Sequence, residues 1–298
     1  MSEFLQQLIN GLSWGAIYAL IALGYTMVYG VLRLINFAHG DIYMMGAMVG
    51  YFVARLFSAQ ASWLHFFVVL FLSMMACGFL GGFIERVAYR PLRKAPRLSL
   101  LITAIGVSLF LEYGGQLVFG ADPKFFPQLI SNQPLFSWDG VVINNIQFLI
   151  LTVSFGLMIL LRFFVLKTKM GKAMRAVSFS PLASSLVGIN VNRVISWTFV
   201  LGSSLAGAAG VLVSLSNPKI EPLMGVMVGL KAFVAAVLGG IGNIPGALLG
   251  GLVMGISETM VVGYLSSTYR DAIAFVILIL VLLLKPAGLL GKAIKEKV

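Results

Sequence analysis

Apolar runs of about 18 residues or more recur along the whole length of this 298-residue chain. That pattern restricts the fold more than any single motif. Each run is long enough to cross a bilayer as a helix, and a lipid-embedded β-barrel would instead show alternating segments of about ten residues. Only 10% of residues are charged and 59% are hydrophobic, whereas soluble domains carry about 25% charge. The reading is an all-α polytopic transmembrane helical bundle of about eight to ten spans. Nine spans are counted, near 8–32, 41–58, 64–86, 98–119, 141–163, 194–215, 224–241, 245–264 and 269–285.

The net charge of +11 would suit nucleic acid, but its placement argues against such a partner. Arg86, Arg90, Arg93, Lys94 and Arg97 form one cluster. Arg162, Lys167, Lys169, Lys172, Arg175 and Arg193 form a second, and Lys285, Lys292, Lys295 and Lys297 a third. Basic residues gathered into short inter-helix segments report topology, because cytoplasmic loops hold Lys and Arg. No aromatic residues interleave with them as a base-stacking platform requires. With all three clusters cytoplasmic, the span count places the N-terminus outside. The segments 120–140 and 216–225, rich in proline, then also face outside. Met1-Ser-Glu-Phe has no basic leader region, so the first run is expected to be a retained helix.

Small residues recur at four-residue spacing: Gly11, Gly15 and Ala19; Gly46 and Gly50; Gly202, Ala206 and Gly210; Gly251 and Gly255. In lipid such faces let helix backbones approach closely. "GVLRLIN" (30–36) and "GVLVSLSN" (210–217) each end a span, on opposite sides in this topology, as an inverted repeat would.

Polar residues inside the apolar texture are the candidate functional positions. "RLINFAHGD" (33–41) brings Asn36, His39 and Asp41 to the inner end of the first span. The simpler reading is a hydrated turn with Asp41 capping the next helix. The alternative is a broken or re-entrant piece that lines a pathway. Ser108, Glu112 and Gln116 make one polar stripe on a helix face. Lys231 and Glu258 lie within further spans. A charge at mid-span costs about 2.5–3.5 kcal/mol on insertion scales, so such residues face the interior and pair. Lys231 is expected to pair with Glu112 or Glu258, and Asp271 to cap a helix end. Direct pathway roles stand level with structural ones for all three charges.

Catalytic chemistry has no support in the sequence. One cysteine (Cys77) and two histidines (His39, His65) offer no triad and no metal-ligand spacing. The glycine-rich stretch "VLGGIGNIPGALLGG" (237–251) lacks the Gly-Lys-Ser/Thr of a phosphate loop and reads as a helical hairpin. The expectation is a protein that is not an enzyme, with no cofactor and no metal.

One inter-helix segment is too long for a turn: "GKAMRAVSFSPLASSLVGIN", 171–190. "PLASSLVG" reads as a short helix with Ser180 as N-cap, Pro181 in its first turn and Gly188 as its stop. Its hydroxyls suit docking on a soluble partner; the alternative is an interfacial helix lying on the membrane surface, which its small apolar face and lack of lysines disfavour.

Three stretches resemble the permeases of branched-chain amino acid ABC importers, in family order. They are "WGAIYALIALGYTMVYGVLRLINFAHGDIYMMGAM", "GKAMRAVSFSPLASSLVGINVNRVISWTFVLGSSLAGAAGVL" and "LKAFVAAVLGGIGNIPGALLGG". The chain is similar to the subunit that carries "NFAHGD" near its N-terminus. The resemblance implies a single permease domain over 1–298, with a cytoplasmic coupling segment at 166–192, in the bacterial inner membrane. It implies a second related permease, two ABC ATPase subunits, an extracytoplasmic substrate-binding protein and surrounding lipid as partners. It assigns Arg175, Pro181, Ala183, Gly188 and Asn190 to the ATPase contact. The general importer pattern Glu-Ala-Ala-x-x-x-Gly is replaced here by Ala183-Ser184-Ser185 before Gly188, with no acidic residue. Urea or short-amide permeases share much of this pattern. A stand-alone secondary transporter with Glu112, Lys231 and Glu258 as an ion relay is the competing class.

Overall fold

The computed structural model describes residues 2–57, 62–93, 95–138 and 140–291. Lys94, Asp139, Lys292, Lys295 and Lys297 lie outside the described residues, as does the side chain of Arg97.

Eleven α-helices make up the described fold. α1 is Ser2–Leu32, α2 His39–Ala54, α3 Trp63–Ile84 and α4 Arg97–Phe119. α5 is Asn145–Lys167, α6 Lys169–Phe179, α7 Pro181–Leu186 and α8 Val191–Ser216. α9 is Met224–Gly239, α10 Ile244–Tyr264 and α11 Ala272–Leu284. A π turn, Glu85–Tyr89, continues α3. Four short strands sit between α4 and α9. β1 (Lys124–Phe125) pairs antiparallel with β4 (Lys219–Ile220), and β2 (Pro134–Trp138) with β3 (Val141–Asn144).

Among the described residues, six helices are long and apolar enough to cross a membrane: α1, α3 with its π turn, α4, α5, α8 and α10. The other three expected spans are shorter as helices than the bounds read from the sequence. At 41–58, 224–241 and 269–285 the chain forms α2, α9 and α11, of 16, 16 and 13 residues. At 1.5 Å per residue these reach only about 20–24 Å, short of a hydrocarbon core of about 30 Å. The expected bounds ran past the helix ends into turned or irregular residues, such as Arg55–Phe57, Gly240–Ile241 and Arg270–Asp271.

α1 is the mast of the bundle, with the segment from Ala16 to Leu23 essentially unexposed. Its small-residue face meets that of α10 backbone to backbone. A Cβ built on Gly255 would stand 2.2 Å from Gly15 N, so only glycine admits this approach. α2 packs on α8 in the same manner, with Gly46 against Gly207.

The described residues of the three basic clusters gather at one end. Arg93 reaches Asn192 at the start of α8, and α6 and α7 lead directly into that start. Gly288, just after Lys285, packs on Gly240, and Gly242 on Gly30 near the end of α1. The strands lie at the opposite end, past the C-terminus of α8.

Candidate functional site

α1 ends at Leu32, where Arg33 takes a positive φ of 52°. Residues 33–36 are irregular and the chain then turns back, so that α2 starts inside the bundle. His39 packs on the ring of Tyr25 at 4.8 Å and faces Gly24 of α1. Gly40 meets the backbone of Gly225 and Gly229 on α9. This overturns the hydrated-turn reading. Asn36, His39 and Asp41 are each 1% exposed. Asp41 is not the cap either: Ala38 holds that position, and no side chain caps the helix.

Asp41 instead accepts a short hydrogen bond from Ser108 of α4. The same hydroxyl lies 3.4 Å from Glu112 Oε1. The polar stripe of α4 therefore faces the start of α2. A cavity of about 160 Å³ lies there. Its walls are Tyr25, Phe37, Val226, Leu230 and Phe233, and its polar groups are Asp41, Ser108 and Glu112. Among the described residues neither carboxylate has a basic partner within ion-pair distance.

Lys231 and Glu258 belong to a different cluster. Lys231 Nζ lies 3.1 Å from Glu258 Oε1 and 2.6 Å from Asp271 Oδ1. Glu258 also accepts from Arg270, and from the Tyr18 hydroxyl at 2.7 Å. Of the two expected partners for Lys231, the structure supplies Glu258 and not Glu112. Asp271 stands at the N-cap position of α11 as expected, but its side chain makes no cap bond and pairs with Lys231 instead. Burial opposes the charge on Arg270, but the hydrogen bond and charge of Glu258 outweigh it and raise its pKa. Two cations and two carboxylates balance, which is what burial in an apolar bundle demands. Glu258 and Arg270 also border a polar cleft of about 400 Å³ with Asn10, Asn144 and Gln147.

At the basic end, α7 forms as its signals dictate. Ser180 accepts from Ala183 N at 3.2 Å, Pro181 opens the helix and Gly188 follows it with φ +82°. Asn190 caps α8 by accepting from Arg193 N at 3.0 Å. Pro181, Ala183, Gly188 and Asn190 are exposed, as is Arg175, which donates to the Leu166 carbonyl. The apolar face is larger than the sequence suggested. Phe179, Leu182, Leu186 and Val187 are 74–88% exposed. Leu182 and Leu186 share one face of α7, while Phe179 precedes the helix and Val187 follows it, so a reading confined to the short helix left half of the patch out.

Sequence reading also missed Glu85. It is fully buried on the π turn and accepts from Arg93 and from Ser196 of α8. Burial lowers the pKa of Arg93, with the Glu85 charge pulling the other way. No sequence spacing marked this contact, which joins positions 111 residues apart.

Comparison with known proteins agrees with this architecture. Residues 7–282 match the family described as branched-chain amino acid transport system / permease component. The high-affinity branched-chain amino acid transport system permease protein LivH of Salmonella typhimurium is 44% identical, over 99% of this chain and 98% of its own. BraD of Pseudomonas aeruginosa, with the same description, is 44% identical over the same shares. A probable LivH of Methanocaldococcus jannaschii is 31% identical over 91% of this chain and 88% of its own. The chain is therefore a multi-pass membrane protein that belongs to the branched-chain amino acid transport permease family.

Proposed function

We propose that this chain is one permease subunit of an ABC importer in a bacterial inner membrane, and that its cargo is a branched-chain or related aliphatic amino acid. It works with a second related permease, two ATPases on the basic side and a substrate-binding protein on the other. Likeness to branched-chain amino acid permeases over nearly the whole length of both chains supports the reading.

The cavity at the start of α2 carries the cargo assignment. Two carboxylates face apolar and aromatic walls with no described cation beside them. Such a site lacks a positive group. The α-ammonium of an amino acid supplies one, and Phe37, Phe233, Val226 and Leu230 suit an aliphatic side chain. Asp41 and Glu112 would line the pathway, with Asn36 and His39 holding the start of α2 in place. Lys231 and Glu258 would fix packing, since each is fully paired. That pairing disfavours an ion relay through them.

α7 and its corner would dock on the ATPase. The exposed Phe179, Leu182, Leu186 and Val187 offer it an apolar knob, and Arg175, Pro181, Ala183, Gly188 and Asn190 surround that knob. The acidic residue of the general importer pattern is absent, so this contact would rest on apolar burial. The chain would carry no ATP chemistry of its own.

Reconstitution tests the proposal. Uptake of leucine, isoleucine or valine into proteoliposomes should require ATP, the binding protein and all four membrane and motor subunits. Uptake by the purified chain under an ion gradient alone would overturn it, and uptake of urea in place of amino acids would overturn the cargo assignment.

A further inference from the structure

A continuous set of side-chain contacts joins the start of α8 to the cavity. Asn192 Oδ1 accepts from Arg93 at 2.6 Å. Arg93 also donates to Glu85, whose other oxygen accepts from Ser196. Four residues on, Tyr89 is unexposed, and its hydroxyl donates to Asn36 Oδ1 at 2.6 Å. Its ring rests on Phe199 at 5.4 Å. The carbonyl of Asn36 accepts from His39 N at 3.1 Å, opening α2, and Asp41 follows at the cavity wall.

Contiguity alone does not couple two sites; an element with two arrangements is needed. The π turn supplies one. Its backbone closes with Arg90 N donating to the Glu85 carbonyl, five residues back. π turns are rare and recur at functional sites. Return to α-helical bonding shifts the register by one residue, which rotates the following residues by about 100° about the helix axis. Glu85 at its start and Tyr89 at its end would then not keep both contacts, to Ser196 and to Asn36.

We propose that Glu85, Tyr89, Arg93, Asn36 and Ser196 are positioning residues that carry movement of the docking segment to the start of α2. When α7 and the head of α8 move, Asn192 and Ser196 pull on the Arg93–Glu85 pair, the π turn changes register, and Tyr89 draws Asn36 and the cavity wall with it. The proposal rests on the docking role given above to α7.

The test uses the complete reconstituted importer and reads ATP hydrolysis and amino acid uptake side by side. Tyr89→Phe keeps the ring on Phe199 and removes only the bond to Asn36; Ser196→Ala removes one donor to Glu85. Each should lower uptake per ATP hydrolysed by about tenfold, the scale of one lost buried hydrogen bond, while hydrolysis stimulated by the loaded binding protein persists. Asn10→Ala breaks a comparable inter-helix bond away from this route, to Gln147 at 2.7 Å, and should leave the ratio unchanged. Wild-type ratios in both route variants, or hydrolysis and uptake falling in step, would overturn the relay. A wild-type chain that fails to bind the ATPase would instead overturn the docking role, so the two failures are distinct.

Discussion

Lys231 Nζ stands 2.6 Å from Asp271 Oδ1 and 3.1 Å from Glu258 Oε1, so a single ammonium ties α9 to α10 and to the head of α11. Lys231 and Glu258 are under 5% exposed, while Asp271 is half open. The lysine is therefore held by the buried partner and only assisted by the exposed one.

Removing one member should be worse than removing two. Lys231→Met leaves two carboxylates, Glu258 and Asp271, with Arg270 as the one cation of the cluster, and should destabilise the subunit by about 3–5 kcal/mol, the usual consequence of breaking a buried pair. Pairing it with Glu258→Gln should recover much of that loss. Thermal unfolding in detergent is the check; a double variant as unstable as the single would refute the pairing account.

Asp41→Asn removes a charge from the cavity while keeping its hydrogen bond to Ser108. Uptake should fall by about tenfold or more, one charged hydrogen bond being worth about 1.5–3 kcal/mol. Substrate affinity of the isolated binding protein should not change. Proteoliposome uptake with unaltered stability measures it. Normal uptake would remove Asp41 from the pathway.

Phe233→Ala enlarges the apolar wall of the same cavity. Preference among apolar cargoes should move toward bulkier side chains by about 10–200-fold, because one methylene in an apolar pocket is worth about 1–3 kcal/mol. Competition uptake with valine, leucine and phenylalanine reads the change. An unaltered ranking would assign selection entirely to the binding protein.

Leu186→Asp alters an 80% exposed side chain that the fold does not use. The subunit should express and assemble with its sister permease, yet lose ATPase co-purification. Retained ATPase binding would show that the apolar corner is not the docking surface.

Legibility in the sequence followed interaction range. The six long spans, the α7 helix with its Ser180 and Gly188 ends, and the hairpin after Gly239 all rest on neighbours within a few residues. The faces Gly11–Gly15 and Gly251–Gly255 were visible as packing surfaces, though not as partners of one another. What stayed hidden depends on distant contacts. Residues 33–41 look solvated because Asn, His and Asp normally are; their burial needs α4 and α9. Glu85 drew no notice at the end of the counted span 64–86, and only α8 explains why it is enclosed. The β1–β4 pairing joins residues nearly a hundred positions apart and has no local signal.

The enclosure of α1 has a consequence for how the protein is made. α1 leaves the ribosome well ahead of the helix whose backbone it touches: α10 emerges more than two hundred residues later. Until then Gly11, Gly15 and Tyr18 face lipid or a helper protein that the finished bundle excludes. Assembly of this subunit thus includes a late closure of the α1–α10 seam, joining segments made far apart in time.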